Sequence, residues 1–196
     1  MVHDSMVDVI AESFFRVNID YYTRYEDGSQ VHQSSAQKII EQMLRMLRPC
    51  PGDQILEIGT GSGYSTALLS NIVGVKGSVT SIDIDTAMVE RASLLLQQDG
   101  CTNVRVLLGD GRSGQPDGAP YTRIIAWASA EYEIPIPLVD QLMNNGVLVC
   151  PLRAHASSWI ASFGKNAAGD LEEIKRIPGG FIPMTDTPFY PWCAEG

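Results

Sequence analysis

The stretch from Ile55 to Tyr64, ILEIGTGSGY, constrains the fold more than any other part of the chain. An apolar strand pattern over Gln54 to Ile58 runs into three alternating glycines, and an apolar helix pattern begins near Tyr64. Glycine is needed where φ is positive or where a Cβ would block a ligand, so this turn indicates a backbone pressed against a bound molecule. Strand, tight turn and helix follow in the order of a nucleotide-binding βα unit. We therefore predict a nucleotide-like cofactor.

The spacing of the glycines distinguishes between cofactor classes. A dinucleotide fingerprint has the form G-x-G-x-x-G and places a pyrophosphate at the helix N-terminus. Here Gly59, Gly61 and Gly63 give G-x-G-x-G, and Glu57 lies two positions before the first glycine. A carboxylate there would repel a pyrophosphate and attract a cationic amino acid moiety. The combination resembles motif I of the class I S-adenosylmethionine-dependent methyltransferases, although a purely structural glycine turn is the alternative.

Composition limits the setting of such a site. A chain of 196 residues with 44% hydrophobic content fits one domain, 1–196, with N-terminal substrate-side helices over 1–50, a cofactor-binding core over 51–152 and a C-terminal hairpin and tail over 153–196. A net charge of −9 opposes binding to phosphate backbones. The N-terminus has acids where a signal peptide needs cations, and no apolar run approaches membrane-spanning length. We expect a cytoplasmic protein without nucleic acid or membrane partners.

The cysteine pattern argues against a metal site. The four cysteines are widely separated and include no Cys-x-x-Cys pair, and only three histidines accompany them. Cys150 lies in the apolar run Val147 to Pro151, where a small buried hydrophobe is expected. We predict free thiols and no metal.

Strands and helices alternate after the glycine turn. The predicted strands are Ser78–Asp83, Val104–Leu108, Ile124–Ala128 and Val147–Cys150, with a helix over Ile136–Met143 before the last of them. Alternation of this kind indicates a parallel sheet covered on both faces. Trp159–Gly164 and Leu171–Ile177 then predict an antiparallel hairpin. The expected fold is α/β, a doubly wound, mostly parallel seven-stranded sheet of Rossmann-like type that ends in an antiparallel hairpin.

Acidic residues follow successive predicted strands. Asp83 ends the second strand, 24 residues after Gly59, where doubly wound folds place a carboxylate that binds ribose hydroxyls. Asp85 is the competing candidate, since one of the two acids is needed only as a helix cap. Asp110, in the turn Gly109-Asp110-Gly111, could accept from the exocyclic amine of adenine or could simply be a solvated turn residue. We expect Glu57, Asp83 and Asp110 to converge on one crevice, because the ends of parallel strands meet at one edge.

The chain resembles the protein-L-isoaspartate O-methyltransferases over most of its length. The stretches that carry the resemblance are ILEIGTGSGYSTALLS (55–70), NVRVLLGDG (103–111), IPIPLVDQL (134–142), GVLVCPL (146–152) and FIPM (181–184). The resemblance implies methylation of isoaspartyl side-chain carboxylates with S-adenosyl-L-methionine as cofactor and S-adenosyl-L-homocysteine as product. The predicted cofactor-binding residues are Glu57, Gly59, Thr60, Gly61, Gly63, Asp83, Asp110 and Gly111.

One residue carries the catalytic expectation. The family places an active-site serine in a Ser-Gln-Pro or Ser-Ala-Pro segment before motif I, and alignment of the helix Gln37–Leu47 puts Ser35 at that serine, without the proline. Ser35 would donate a hydrogen bond that orients the substrate carboxylate. Locally, Ser34 with Gln37 also fits a capping box for the same helix.

Other departures from the family concern the substrate side. Trp127 and Glu131 follow the fourth strand, where the family usually has small or polar residues and an alanine-rich turn. Trp127 could narrow the pocket or stack on substrate, although an indole in an apolar strand is more often ordinary core. Three tyrosines could cap a peptide groove or cover the sheet edge, namely Tyr21, Tyr22 and Tyr25.

The chemistry needs no histidine base. A carboxylate is already ionised at neutral pH, so alignment and exclusion of water are the main catalytic tasks. The leading hypothesis is a carboxylate O-methyltransferase acting on an aspartyl or isoaspartyl residue of a peptide or protein, either in general repair or on one dedicated peptide that goes on to a succinimide. A small-molecule methyltransferase and a non-catalytic cofactor-binding protein are the rival hypotheses.

Overall fold

The computed structural model describes residues 8–32 and 34–188. Its helices are α1 (Val9–Arg16), α2 (Ile19–Thr23), α3 (Gln37–Leu47), α4 (Tyr64–Val73), α5 (Thr86–Gln98) and α6 (Ile136–Gln141). Its strands are β1 (Gln54–Ile58), β2 (Ser78–Asp83), β3 (Val104–Leu108), β4 (Tyr121–Ala126), β5 (Ala130–Glu131), β6 (Leu142–Ala154), β7 (Ser157–Lys165) and β8 (Leu171–Pro178). Short 3₁₀ turns cover Gly74–Lys76, Gly111–Ser113 and Pro116–Gly118.

The strands form one sheet in the order β3-β2-β1-β4-β6-β7-β8. Neighbours from β3 to β6 are parallel, whereas β6, β7 and β8 are joined by antiparallel pairs. The predicted mostly parallel sheet with a C-terminal hairpin is confirmed. The two-residue β5, which pairs with β6, is a strand that the sequence pattern did not reveal.

Two hydrophobic cores lie on the two faces of this sheet, as alternation along the strands requires. In β1, Ile55 belongs to the core shared with α1, α3, α4 and α5, whereas Leu56 belongs to the core shared with α6. Cys150 is fully buried in the second core, as expected for a small apolar side chain. Glu57 lies between Leu56 and Ile58 and has the parity of Ile55, which directs it toward α4.

Two local predictions were wrong. The helix predicted over Ile136–Met143 ends at Gln141, and β6 starts at Leu142 with a register shift against β4 before the regular pairing of Arg123 with Val147. Asn144, Asn145 and Gly146, residues typical of a helix end, therefore lie inside the irregular first part of β6, where Asn145 has φ 64°. The predicted capping box is also absent, because α3 begins at Gln37 itself, and Ala36 is an N-cap without a side-chain hydrogen bond.

Within residues 8–32 and 34–188, the helices are too short or too polar for any of them to cross a bilayer.

Candidate cofactor and substrate site

A cavity of about 300 Å³ opens at the carboxyl ends of β1 and β2. This is where open α/β sheets bind ligands. Its walls come from five parts of the chain: the segment before α3, the glycine turn, the ends of β2 and β3, the residues after β4, and the segment after β8. The lining includes His32, Ser34, Ser35, Gly59, Thr60, Gly61, Asp83, Gly109, Gly111, Trp127, Phe181, Ile182, Pro183 and Met184.

The glycine turn has the backbone conformation that its sequence predicts. Gly59, Gly61 and Gly63 have φ values of 92°, 50° and 86°, in the region that favours glycine. Gly59 and Gly61 line the cavity together with Thr60, whereas Gly63 is the N-cap of α4 and does not. A Cβ at Gly63 would lie 3.1 Å from the Cβ of Ala92, so this glycine serves helix packing.

Asp83 faces the cavity and is fixed by backbone donors. Its carboxylate accepts from the amide of Gly61 at 2.8 Å and from the amide of Asp85 at 3.0 Å. Asp85 is the helix cap, since its side chain accepts from the amide of Ala87 at the start of α5. Each oxygen of Asp83 takes one of these bonds and keeps acceptor capacity for a ligand. Burial raises the pKa of Asp83, against the opposing effect of the two amides.

Glu57 lies behind the glycine turn rather than in the cavity. Its side chain is fully buried, and its two oxygens accept four hydrogen bonds. The donors are Ser65 and Thr66 of α4 at 2.5 Å each, Ser81 of β2 at 2.7 Å and the indole of Trp127 at 2.8 Å. Burial raises the pKa of Glu57, and the four donors act in the opposite direction. In this structure both oxygens of Glu57 are occupied by these donors, and the carboxylate joins β1 to α4, β2 and Trp127.

Asp110 is held by the side chain that follows it. Arg112 donates to its carboxylate from the backbone amide at 2.9 Å and from the guanidinium at 2.7 Å. Partial burial acts to raise the pKa of Asp110, but the hydrogen bonds and charge of Arg112 outweigh it and hold the pKa below its usual value. The flanking Gly109 and Gly111 line the cavity, whereas Asp110 itself does not. Of the three predicted carboxylates, only Asp83 therefore presents itself directly to the cavity.

Ser35 lies in the cavity wall formed by the segment before α3. Its hydroxyl makes no hydrogen bond with any residue of 8–32 or 34–188, so it is available to a ligand. The structure thus brings the predicted catalytic serine to the same cavity as five of the predicted cofactor residues, namely Gly59, Thr60, Gly61, Asp83 and Gly111.

Part of the site came from a segment to which sequence analysis assigned no role. Phe181 to Met184 runs beside Ser129, whose amide donates to the carbonyl of Ile182 at 2.8 Å and whose carbonyl accepts from the amide of Met184 at 2.8 Å. Ser129 also donates through its hydroxyl to the carbonyl of Phe181 at 2.9 Å. These bonds hold the segment over the cavity. The only sequence signal was the family resemblance of FIPM.

Trp127 joins the two sides of the site. The indole is 8% exposed and belongs to a core, yet it lines the cavity, and its ring lies 6.2 Å from that of Phe181. The expectation that Trp127 belongs to a core is confirmed, and the expectation that it narrows the pocket or stacks on substrate stays a prediction. The tyrosines near the N-terminus behave differently: Tyr22 is buried against Tyr64, and Tyr25 lies under the guanidinium of Arg91. None of them is among the residues that line the cavity.

A family model described as Protein-L-isoaspartate(D-aspartate) O-methyltransferase (PCMT) matches residues 1–188. The chain belongs to this family. A protein-L-isoaspartate O-methyltransferase of Methanococcus maripaludis is 32% identical over 93% of this chain and 86% of its own length. One of Anaeromyxobacter dehalogenans is 40% identical over 70% of this chain and 65% of its own.

Solved structures agree with this assignment. A protein-L-isoaspartate O-methyltransferase structure is 26% identical, with a TM-score of 0.73 over 88% of this chain and 61% of that one. A Plasmodium falciparum protein in complex with S-adenosyl-L-homocysteine has a TM-score of 0.79 over 92% of this chain and 91% of that one, at 19% identity, and supports the shared fold.

The cavity fits the family's cofactor, S-adenosyl-L-methionine. Asp83 offers an ionisable carboxylate with free acceptor capacity where ribose hydroxyls need it. Ile82 and Ile84 provide apolar wall for a purine beside Gly109 and Gly111. At Gly111, a Cβ would lie 2.1 Å from Cγ2 of Ile58, so any larger residue would require Ile58 to shift.

Proposed function

We propose that this protein is an S-adenosylmethionine-dependent O-methyltransferase that acts on the side-chain carboxylate of an isoaspartyl or aspartyl residue in a protein or peptide. The observation that carries the proposal is the single cavity that joins Asp83 and the glycine turn to Ser35. Membership of the protein-L-isoaspartate O-methyltransferase family supports the same reaction.

The residues of the cavity divide the work of this reaction. When bound, S-adenosylmethionine supplies a methyl group on a positively charged sulfur. Asp83 and the backbone of Gly59 to Gly61 hold the cofactor, and Ser35 donates a hydrogen bond that orients the acceptor carboxylate. That carboxylate is already ionised at neutral pH, so no residue has to remove a proton. Trp127 and Phe181 exclude water, which favours the approach of two opposite charges that neutralise each other.

The proposal is tested with the purified protein, the cofactor and two synthetic peptides that differ only in an isoaspartyl or an aspartyl residue. Mass spectrometry should detect a gain of one methyl group that base removes. Asp83→Asn should lose most of the turnover, whereas Asp117→Asn, a substitution outside the cavity, should keep it. If calorimetry shows tight S-adenosylmethionine binding while no peptide or lysate protein gains a methyl group, the protein is a cofactor binder and the proposal is wrong.

A dedicated peptide substrate is the second candidate, and Trp127 is the observation that favours it. This indole occupies part of the cavity wall next to Phe181, at a position where the family usually has a small or polar residue. A narrowed acceptor side favours one substrate over a broad set of damaged proteins. Robust turnover of a generic isoaspartyl peptide would contradict the dedicated version and support general repair.

We also propose that residues 1–196 form one domain that works in the cytoplasm without nucleic acid or membrane partners. The net charge of −9 supports this setting, since phosphate backbones and anionic lipid surfaces attract cationic proteins. A single cooperative unfolding transition and recovery from the cytoplasmic fraction of cells are the expected results.

A further inference from the structure

A second, wider groove adjoins the cavity on the face of the sheet that α3 covers. It lies between the start of α3, the β6–β7 turn and the segment after β8, and we name it the hairpin groove. Its lining residues are Ser35, Ala36, Ile39, Arg153, His155, Ala156, Ser157, Ser158, Gly179, Gly180, Phe181 and Ile182. Ser35, Phe181 and Ile182 also line the cavity, so the groove leads directly to the proposed site of methyl transfer. Its volume of about 890 Å³ gives room for a chain segment beside the acceptor residue.

The charge of the hairpin groove is opposite to that of the protein. The chain has 23 acidic and 14 basic residues, yet the groove lining contains Arg153 and His155 and no carboxylate. A groove with a cationic side chain and no carboxylate attracts a negatively charged segment and does not repel its carboxylates.

Arg153 is not committed to a partner within the protein. Among the residues that the structure describes, no carboxylate lies within 4.0 Å of its guanidinium, although Glu131 is its register partner on β5. In contrast, the exposed guanidiniums of Arg45, Arg112 and Arg176 are each paired with a neighbouring carboxylate. A guanidinium offers five donors in a fork that matches a carboxylate.

Further donors surround Arg153. Ser158 is its cross-strand partner in the β6–β7 hairpin, and Ser157 and His155 complete the exposed turn. The imidazole of His155 contacts the ring of Tyr132 edge-on at 5.6 Å, which orients it. Gly179 and Gly180 also line the groove and add no side chains to it. The groove thus offers side-chain hydrogen-bond donors next to Arg153.

We infer that the hairpin groove binds an acidic segment of the peptide substrate, with Arg153 as its principal carboxylate contact, and thereby selects substrates with glutamate or aspartate near the methylated residue. The inference rests on the proposed function, because the groove is assigned to the peptide substrate on the ground that it shares a wall with the proposed acceptor site. Arg153 is a specificity-determining residue in this view, and it takes no part in the methyl transfer itself.

The experiment compares wild-type protein, Arg153→Gln and Arg153→Glu on peptides that differ in the charge of the residues flanking the isoaspartyl residue. Peptides share one isoaspartyl residue and carry a pair of glutamates, glutamines or lysines, on its N-terminal side in one set and on its C-terminal side in another. For wild-type protein, KM for the glutamate form should be roughly fivefold lower on one of the two sides, as expected for a partly exposed ion pair. Arg153→Gln should remove this preference, and Arg153→Glu should reverse it toward lysine-flanked peptides. High salt should weaken the preference in wild type only.

Arg105→Gln is the matched control. It removes the same charge from an exposed position on β3, four strands away from β6 in the sheet. This variant should keep the full preference for glutamate. Unchanged melting temperature and unchanged affinity for S-adenosyl-L-homocysteine should show that Arg153→Gln is folded and retains its cofactor site.

Peptide binding, followed by fluorescence anisotropy with S-adenosyl-L-homocysteine present, separates this inference from the proposed function. A glutamate preference in binding that disappears in Arg153→Gln supports the groove even if no peptide is methylated, in which case only the proposed function fails. Equal binding of both peptide forms by wild type, or a preference that survives in Arg153→Gln, overturns the inference.

Discussion

The two walls of the cavity are built in different ways. The cofactor wall runs from Gly59 to Asp83, within 25 residues, and its polar groups are hydrogen-bonded to one another. The substrate wall joins Ser35, Trp127 and Phe181, and 146 residues separate the first from the last. The Ser35 hydroxyl has no partner among the residues that the structure describes. The cofactor wall is therefore pre-organised by local sequence, whereas the substrate wall is assembled by the fold. In the substrate wall the indole of Trp127 donates to Glu57, and the hydroxyl of Ser35 remains for a ligand.

Glu57 gives the sharpest test of the pre-organised wall. We expect Glu57→Ala to lower the free energy of unfolding by about 3–5 kcal/mol, because four buried donors lose their acceptor. Urea denaturation of the cofactor-free protein measures this. Glu26→Ala, at an exposed turn position, should stay within about 0.5 kcal/mol of wild type. Similar values for the two variants would mean that the buried network contributes little.

Asp83 tests the same wall through ligand affinity. Asp83→Asn should weaken S-adenosyl-L-homocysteine binding roughly 10- to 100-fold, because hydrogen bonds to a charged acceptor contribute about 1.5–3 kcal/mol. Isothermal calorimetry at neutral pH measures the change. An affinity equal to that of wild type would remove Asp83 from the cofactor site.

The pH dependence of that affinity has a definite sign. The ionised form of Asp83 accepts the ligand's hydroxyls, and burial raises its pKa, so protonation begins at a higher pH than for an exposed aspartate. Affinity should therefore fall as pH falls through the raised pKa, toward the affinity of the Asp83→Asn variant. Asp83→Asn should lack this dependence. Asp110 should contribute nothing in that range, because Arg112 holds its pKa below the usual value.

Gly111 and Ile58 line the cavity in contact with each other, and a substitution at Gly111 tests how tightly they pack. A Cβ there would lie 2.1 Å from Ile58, so Gly111→Ala should cost about 1–3 kcal/mol of folding stability through overpacking. Gly109→Ala is the control in the same turn, since its Cβ would meet Ile82 at an ordinary 3.4 Å. Thermal or urea unfolding compares the two. Equal stability of both variants would show that the Ile58 side chain shifts at little cost in free energy.

The contrast between the walls also explains what could be predicted from sequence. β2 and β3 have the bounds that their apolar patterns predict, and Asp83 lies at the cavity because strand ends meet at one edge. The role of Glu57 could not be read in the same way. The sequence shows that Glu57 lies between two core residues of β1. It does not show that four donors from α4, β2 and Trp127 occupy its carboxylate, because only the fold brings these donors together.

The substrate wall was harder still, because it depends on contacts across the chain. Trp127 follows an apolar strand, and sequence alone could not decide between core and cavity for a side chain that belongs to both. The segment Phe181 to Met184 has no periodic pattern, and its position comes from backbone hydrogen bonds to Ser129. Irregular segments of this kind carry little information in their residue types. The position of such a segment depends on the residues to which its backbone is hydrogen-bonded.

Ser35 is expected to show the smallest effect of the series and the most specific one. Ser35→Ala should lower kcat about tenfold, the equivalent of one hydrogen bond of about 1.4 kcal/mol to the acceptor carboxylate. Folding stability should not change, since the hydroxyl has no partner among the described residues. Affinity for S-adenosyl-L-homocysteine should also stay at the wild-type value. Steady-state kinetics on an isoaspartyl peptide measures kcat, and calorimetry in parallel measures the affinity for S-adenosyl-L-homocysteine.

Ser34→Ala changes the adjacent hydroxyl in the same cavity wall and should have the smaller effect on kcat. If Ser35→Ala instead transfers methyl groups at the full rate, the substrate wall orients its carboxylate through another donor, and Ser34 is the first residue to test in that role.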